Sequence, residues 1–264
     1  TTDHECFTLA EALDKLSFGM KIIIREGSAA KNFDALHSLI STHTDMVMLC
    51  SDDKHPNDLV RGHINELVLR ALANGHSLMD VLQCACVNPV QHYGLEVGLL
   101  QEGQPADFIV VNNLSELNVE ETYINGIRVA EKGRTKLPYL PAKSPNKFDT
   151  QPKQPADFVV KATTNHIKVI EALEGQLITN ALTYEVLTDS NGNAISNTGN
   201  DVLKLAVVNR YQNTPPAIAF IKNFGLKSGA IASSVAHDSH NIIAVGVSDE
   251  DICRAVNLLI EAKG

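Results

Sequence analysis

The stretch MKIIIREGSAAKNFDALHSLISTHTDMVMLCSDD (residues 20–53) decides the fold. It opens on a short β-branched run from Met20 to Arg25, the kind that forms a strand buried in a parallel sheet. Gly27 and Ser28 predict the start of a helix holding Phe33, Leu36 and Ile40, and residues 45–51 (DMVMLCS) predict the next strand. Upstream, Leu9, Ala12, Leu13 and Leu16 follow the i, i+3, i+4, i+7 spacing of an amphipathic helix. Thr8 and Glu11 read as its capping box and Gly19 as its stop. Downstream, Ile64, Leu67, Val68, Ala71 and Leu72 mark another helical face. Strands and helices that alternate over short connections make an α/β fold, a parallel sheet covered by helices.

In such folds ligands gather at the C-terminal ends of the strands. Here three successive strand ends carry ionisable groups: Asp3-His4-Glu5, Arg25-Glu26 and Ser51-Asp52-Asp53. Carboxylate and imidazole together suit zinc, iron or manganese. An Asp beside an activated water can also take its proton and pass it on. Taken singly, His4 also reads as a hydrogen-bonded structural residue, and Asp52 as a helix cap.

The rest of the chain changes character. A shorter helix is expected at about 77–86 with Ser77 as its cap, then a turn or short helix from Asn88 to Gly94. Residues 106–111 read as a strand, and Asn125-Gly126 between two apolar runs is a strong hairpin signal. Residues 137–155 hold five of the ten prolines and read as a linker. The last hundred residues are rich in strand patterns (167–172, 176–187, 202–209, 217–221 and 242–247), with 189–199 as a hairpin loop. A final helix from Asp249 is capped by Ser248. PADFIV (105–110) and PADFVV (155–160) read either as a repeat or as two generic strand starts after proline.

Lys and Arg total 22 against 31 Asp and Glu, a net of −9, which disfavours a nucleic-acid partner. No apolar run approaches the ~18 residues of a membrane helix. Five cysteines, an odd number lying mostly in apolar runs, read as buried thiols of a reducing cytoplasm. Residues 1–6 read as the tail of a strand whose beginning is absent, so a fragment is expected.

TDHEC (2–6), GMKIIIREGSAAKN (19–32), SDDKHPNDL (51–59) and GAIASSVAHDSHNIIAVG (229–246) resemble the bacterial adenine deaminase family, within the amidohydrolase superfamily. The likeness runs along the whole chain, and REGSAAKN (25–32) is what narrows the substrate. The resemblance implies the C-terminal half of a (β/α)8 barrel in residues 1–94. A small β module over 95–136, the linker 137–155 and an α+β C-terminal domain from 156 to 264 follow it. It implies hydrolysis of adenine to hypoxanthine and ammonia at a divalent metal, manganese or iron first and zinc otherwise. The setting is cytoplasmic purine salvage, with adenine as the small-molecule partner, no nucleic acid or membrane, and assembly as a homo-oligomer.

On that likeness His4 is a metal ligand or touches the metal-bound water, and Asp52 is a metal ligand and the general base. Glu5 orients His4 or protonates a ring nitrogen, with a solvated helix-start acid as its plain alternative. Arg25 and Glu26 hold the purine edge or form a structural ion pair. Asp53 supports the centre or caps a loop. His237 and His240, in the HDSHN loop at 237–241, either close over the substrate or belong to a tight turn. His63 reads as a helix contact. The superfamily's His-x-His pair is missing, since no two histidines lie two apart. The chain alone is therefore expected to be inactive. Rival readings are an amidohydrolase of a cyclic amide or N-acetyl sugar, and a non-catalytic paralogue.

Overall fold

Three parallel strands stand side by side, β1 (Thr2–Asp3), β2 (Lys21–Arg25) and β3 (Val47–Cys50). Ile22, Ile23 and Ile24 of β2 are all buried, as the unbroken apolar run requires, and each contributes on the order of 1.5–3 kcal/mol. The computed structural model describes residues 1–141, 143, 146–175 and 177–264, and the chain divides into two units, Thr1–Pro141 and Ala142–Gly264.

In the first unit α1 (Leu9–Ser17) links β1 to β2, and its Thr8 Oγ1 accepts the Glu11 N–H at 3.2 Å. The reciprocal half of the expected capping box is displaced by one residue: Glu11 accepts from the N–H of Phe7. Between β2 and β3 lie α2 (Phe33–Leu36) and α3 (Leu39–Thr42). The helix expected from Gly27 thus starts later. Residues 27–32 form a tight loop in which the Gly27 N–H donates to Ala30 O at 2.8 Å and Glu26 bridges to Lys31. After β3 come α4 (Pro56–Leu59), α5 (Ile64–Ala73), α6 (Leu78–Leu82), a π-helical turn over Gln83–Val87, and α7 (Asn88–Tyr93). Asn88, buried, donates to the carbonyls of Thr44 and Val47, both at 2.7 Å, and ties α7 to the start of β3. Phe33, Leu36, Ile40, Leu67, Val68 and Ala71 pack on Ile22, Ile24, Val47 and Leu49 to make the core.

An antiparallel sheet follows, β4 (Phe108–Val111), β5 (Val119–Ile124), β6 (Ile127–Glu131) and β7 (Arg134–Thr135), in that order. Asn125 (φ 50°) and Gly126 (φ 74°) both take the left-handed conformation that a two-residue hairpin turn needs, which is why glycine follows asparagine there.

The second unit is built from β8 (Val160–Lys161), β9 (His166–Ala172), β10 (Thr179–Glu185), β11 (Leu187–Thr188), β12 (Asn193–Ile195), β13 (Val202–Val208), β14 (Ala217–Lys222), β15 (Ala230–Ser233), β16 (Ile242–Gly246) and α8 (Asp249–Ala262). Six strands form one sheet in the order β10-β9-β14-β13-β16-β15; β8, β11 and β12 form another. Ile252, Val256 and Ile260 of α8 pack with Ala206, Val208, Ile242 and Ala244. The Ser248 hydroxyl accepts the Asp251 N–H at 3.1 Å, the expected cap. The expected hairpin loop at 189–199 contains β12, and β10 begins at Thr179; Gln176, where that strand was expected to start, lies outside the described residues. The two PADF segments part company: residues 105–107 lead as loop into β4, whereas Pro155–Phe158 is a 3₁₀ turn.

All five cysteines are free thiols. Among the described residues no helix is long and apolar enough to cross a membrane.

Candidate active site

The C-terminal ends of β1, β2 and β3 lie together because the strands are parallel and adjacent, so the residues just after them meet. Past β1 the chain turns on Asp3. Its Oδ1 accepts the N–H groups of Glu5 at 3.0 Å and Cys6 at 3.1 Å, and the Cys6 thiol at 3.0 Å. Lys15 Nζ pairs with Oδ2 at 3.0 Å. Burial pushes the Asp3 carboxyl up, but the hydrogen bonds from Cys6, Lys15 and the Glu5 N–H outweigh it and hold the group below its ordinary value. The same burial, with Asp3 beside it, pushes the Cys6 thiol up to about 12, so it stays protonated as a donor. This turn presents His4 and Glu5.

Arg25, at the end of β2, has a side chain only 3% exposed. A buried guanidinium needs a counter-charge. It finds Glu5 in a two-pronged contact, Nη2 to Oε2 at 2.7 Å and Nη1 to Oε1 at 3.1 Å, and it reaches Asp52 Oδ1 at 3.4 Å. Asp52 follows β3 with φ 49°, a left-handed conformation that Asp adopts more readily than most residues. His4 Nε2 lies 3.1 Å from Glu5 Oε1 and 3.8 Å from Asp52 Oδ1. Two carboxylates thus stand between a buried cation and an imidazole, each within reach of both. The side chains of His4 and Glu5 are 46% and 58% exposed, so the cluster opens to solvent.

The neighbours are engaged elsewhere. Glu26 pairs with Arg70 at 2.8 Å and accepts the Phe33 N–H at 3.3 Å. The Asp53 carbonyl accepts the Ser28 N–H at 3.2 Å. His63 Nε2 lies 2.9 Å from Ser51 Oγ, and burial holds its imidazole below the ordinary value. Gly27 matters for space: a Cβ there would stand 3.3 Å from both Cβ and Oδ2 of Asp52 and 3.2 Å from Ala30 O. A cleft of about 260 Å³ adjoins Gly27, lined also by Lys31, Lys54, Arg61, Glu66 and Arg70. A larger one of about 590 Å³ belongs to the second unit and holds none of the expected site residues.

His237 and His240 lie in an exposed loop of the second unit. His237 Nδ1 is 3.1 Å from Asp238 Oδ1, the His240 N–H donates to Ala236 O at 2.6 Å, and Tyr211 Oη donates to Ser239 O at 3.1 Å. Asp238 (φ 64°) and His240 (φ 49°) are left-handed, as tight turns ask.

The donor types at the strand-end cluster suit a divalent ion, and Gly27 keeps the space beside Asp52 Oδ2 clear. Among the described residues no three His, Cys, Asp or Glu form a ready ligand set. The strand pattern does not reveal the Asp3 turn or the spatial need for Gly27. The one local signal for the former is an Asp just ahead of two unpaired N–H groups.

Residues 2–129 match the amidohydrolase family, and residues 176–264 match the adenine deaminase C-terminal domain. An adenine deaminase of Salinibacter ruber is 54% identical over 264 residues, all of this chain and 48% of its own length. One of Sulfurovum sp. is 53% identical over 100% of this chain and 48% of its own length, and one of Methanosarcina mazei is 48% identical over 100% and 50%. The chain therefore spans about half the length of the curated relatives it matches. A β-aspartyl dipeptidase structure from Fervidobacterium islandicum aligns with 50% of this chain and 37% of its own, at 22% identity and a TM-score of 0.42, too distant a likeness to bear on the fold.

Proposed function

We propose that this chain, which is similar from end to end to adenine deaminases, supplies part of the centre of a hydrolase that converts adenine and water to hypoxanthine and ammonia. The observation that carries the reading is the meeting of three successive strand ends, where Glu5 and Asp52 each contact both His4 and Arg25. On this reading the three parallel strands belong to a (β/α)8 barrel of a longer cytoplasmic protein of purine salvage.

His4 and Asp52 are the residues here that would hold a divalent metal, manganese or iron first and zinc otherwise. Such an ion supplies the Lewis acidity that makes water nucleophilic near neutral pH. Asp52 takes the proton of the attacking water and delivers it to the departing amine. Its Oδ1 is steadied by Arg25, and a carboxylate has lone pairs enough for both duties. Glu5, gripped by the same guanidinium and 3.1 Å from His4, orients the imidazole. Arg25 itself serves the two carboxylates.

The test is ammonia release from adenine by the full-length protein that carries this chain. Asp52→Asn is expected to lower kcat by about 10²–10⁴-fold, the usual worth of a general base, and the 264-residue chain alone to release none. Full activity in Asp52→Asn, or turnover of a cyclic amide in place of adenine, would overturn the reading.

A further inference from the structure

Asn32 stands at the N-cap of α2, where an asparagine side chain ordinarily accepts an N–H from the first turn of its helix. It makes no such bond. Its Oδ1 accepts the Arg25 N–H at 2.8 Å, and its Nδ2 donates to the carbonyls of Cys6 at 3.1 Å and His4 at 3.3 Å. Its own N–H donates to the Arg25 carbonyl at 3.1 Å. The residue is 4% exposed, so water is a poor substitute for any of these partners.

The position explains the diversion. The ladder between β1 and β2 ends at the pair Asp3↔Ile22. Beyond it the chain bearing His4 and Glu5 leaves β2 with its carbonyls unpaired, and one side-chain amide takes over the work of the missing ladder. That amide joins the His4–Glu5 corner to the backbone of the residue whose guanidinium grips Glu5.

We propose that Asn32 is a positioning residue for the strand-end centre, setting where His4 and Glu5 stand against Arg25 and Asp52. The clamp is read from the hydrogen bonds alone; the reaction it serves rests on the function proposed above. The task needs one acceptor and two donors, the complement of a primary amide. A carboxylate of the same shape keeps the acceptor, loses both donors and turns an anionic oxygen toward two carbonyls. Asn32→Asp therefore keeps the hold on the Arg25 N–H and loses the hold on the His4 and Cys6 carbonyls.

Two measurements on the full-length protein test this. In the first, kcat and KM for ammonia release from adenine are compared with the urea midpoint in the wild type, Asn32→Asp and Asn32→Ala. Both variants are expected to lower kcat about 10–100-fold with KM little changed. The fall in kcat should persist in urea-free buffer, where each variant is fully folded. A general loss of stability has no reason to lower kcat in the folded protein. In the second, the crystal structure of Asn32→Ala should show the His4–Glu5 corner displaced and the Glu5–Arg25 contact broken. If Asn32→Ala does not fold, Asn32→Asp carries the same readout. An unchanged kcat in the folded variants, or a corner that stays in place, would overturn the proposal. A wild type inactive on adenine sinks the proposed function instead, and the crystal structure then decides the clamp by itself.

Discussion

Arg25 in the first unit and Lys204 in the second are both buried cations, each with a side chain 3% exposed, yet their partners differ. Lys204 sits within β13, donates to the Phe158 carbonyl at 3.0 Å and pairs with Asp249, the first residue of α8. Its charge locks a helix start to a central strand. Arg25 sits at a strand end, and its partners Glu5 and Asp52 lie in loops, with Glu5 mostly open to solvent. The charge needs neutralising in both places. The difference is access: the carboxylate on Lys204 begins a packed helix, whereas one of the two on Arg25, Glu5, stands open to solvent where it can meet a reacting group.

Exchanging each cation for methionine, which keeps the length and removes the charge, puts this contrast to its hardest test. Lys204→Met is expected to cost about 3 kcal/mol in urea unfolding of the second unit, the low end for breaking a buried pair because Asp249 can turn to solvent and the helix start. It should leave the strand-end chemistry intact. Arg25→Met should cost only about 1 kcal/mol, since Glu5 is free to seek water, yet lower kcat about 10–100-fold by releasing both carboxylates. Equal stability losses, or an equal fall in activity, would erase the distinction.

A smaller effect sharpens it from the scaffold side. Ser248→Ala removes the cap of the helix that Lys204 anchors and should cost about 1 kcal/mol. The check is urea unfolding of the Ser248→Ala, Lys204→Met and doubly substituted proteins. The two losses should fall short of additive, because cap and ion pair hold the same first turn.

The smallest expected effect is a pH dependence. His76 lies 2.9 Å from His37 Nδ1 through its Nε2 and 2.6 Å from Ser41 Oγ through its Nδ1. Burial first, and the neighbouring His37 second, hold it below its ordinary 6.5. The folded state thus binds fewer protons than the unfolded one below that value. The stabilisation is complete above pH 6.5 and is lost as the pH falls from there toward the folded pKa. The urea midpoint should drop between about pH 7 and about pH 5, and His76→Asn should flatten the drop. An unchanged slope in His76→Asn would assign the effect to other groups.

Local patterns were legible where a few neighbouring residues decide the outcome. The apolar stripe and Ser248 announced α8, the run at 20–25 announced β2, and Asn125-Gly126 announced the turn between β5 and β6. The motifs at 2–6, 19–32, 51–59 and 229–246 resemble adenine deaminases, and the whole of this chain is similar to about half the length of proteins of that name. Where partners lie far along the chain, the same reading fell short. The two PADF segments show why. Asp107 accepts the N–H groups of Gly98 and Asn125 and leads into a strand, whereas Asp157 accepts the N–H of Gln154 and closes a turn. Identical residues took different shapes because different N–H groups stood within reach. At the centre, Arg25 was visible as a charge after a strand, but not the 20 residues back to Glu5 or the 27 forward to Asp52 that its guanidinium spans.

By itself, then, the sequence determined the strands and helices with a strong local pattern, such as β2, α1 and α8, and that ionisable groups would follow three strands in a row, because periodicity and capping act within a turn or two of backbone. Only the tertiary structure decided that Arg25 would be enclosed, that Asn32 would leave its helix to hold two strand ends, and that His4 and Asp52 would face one another. Those outcomes depend on buried polar groups finding partners, and the partners become neighbours only once the sheet is assembled.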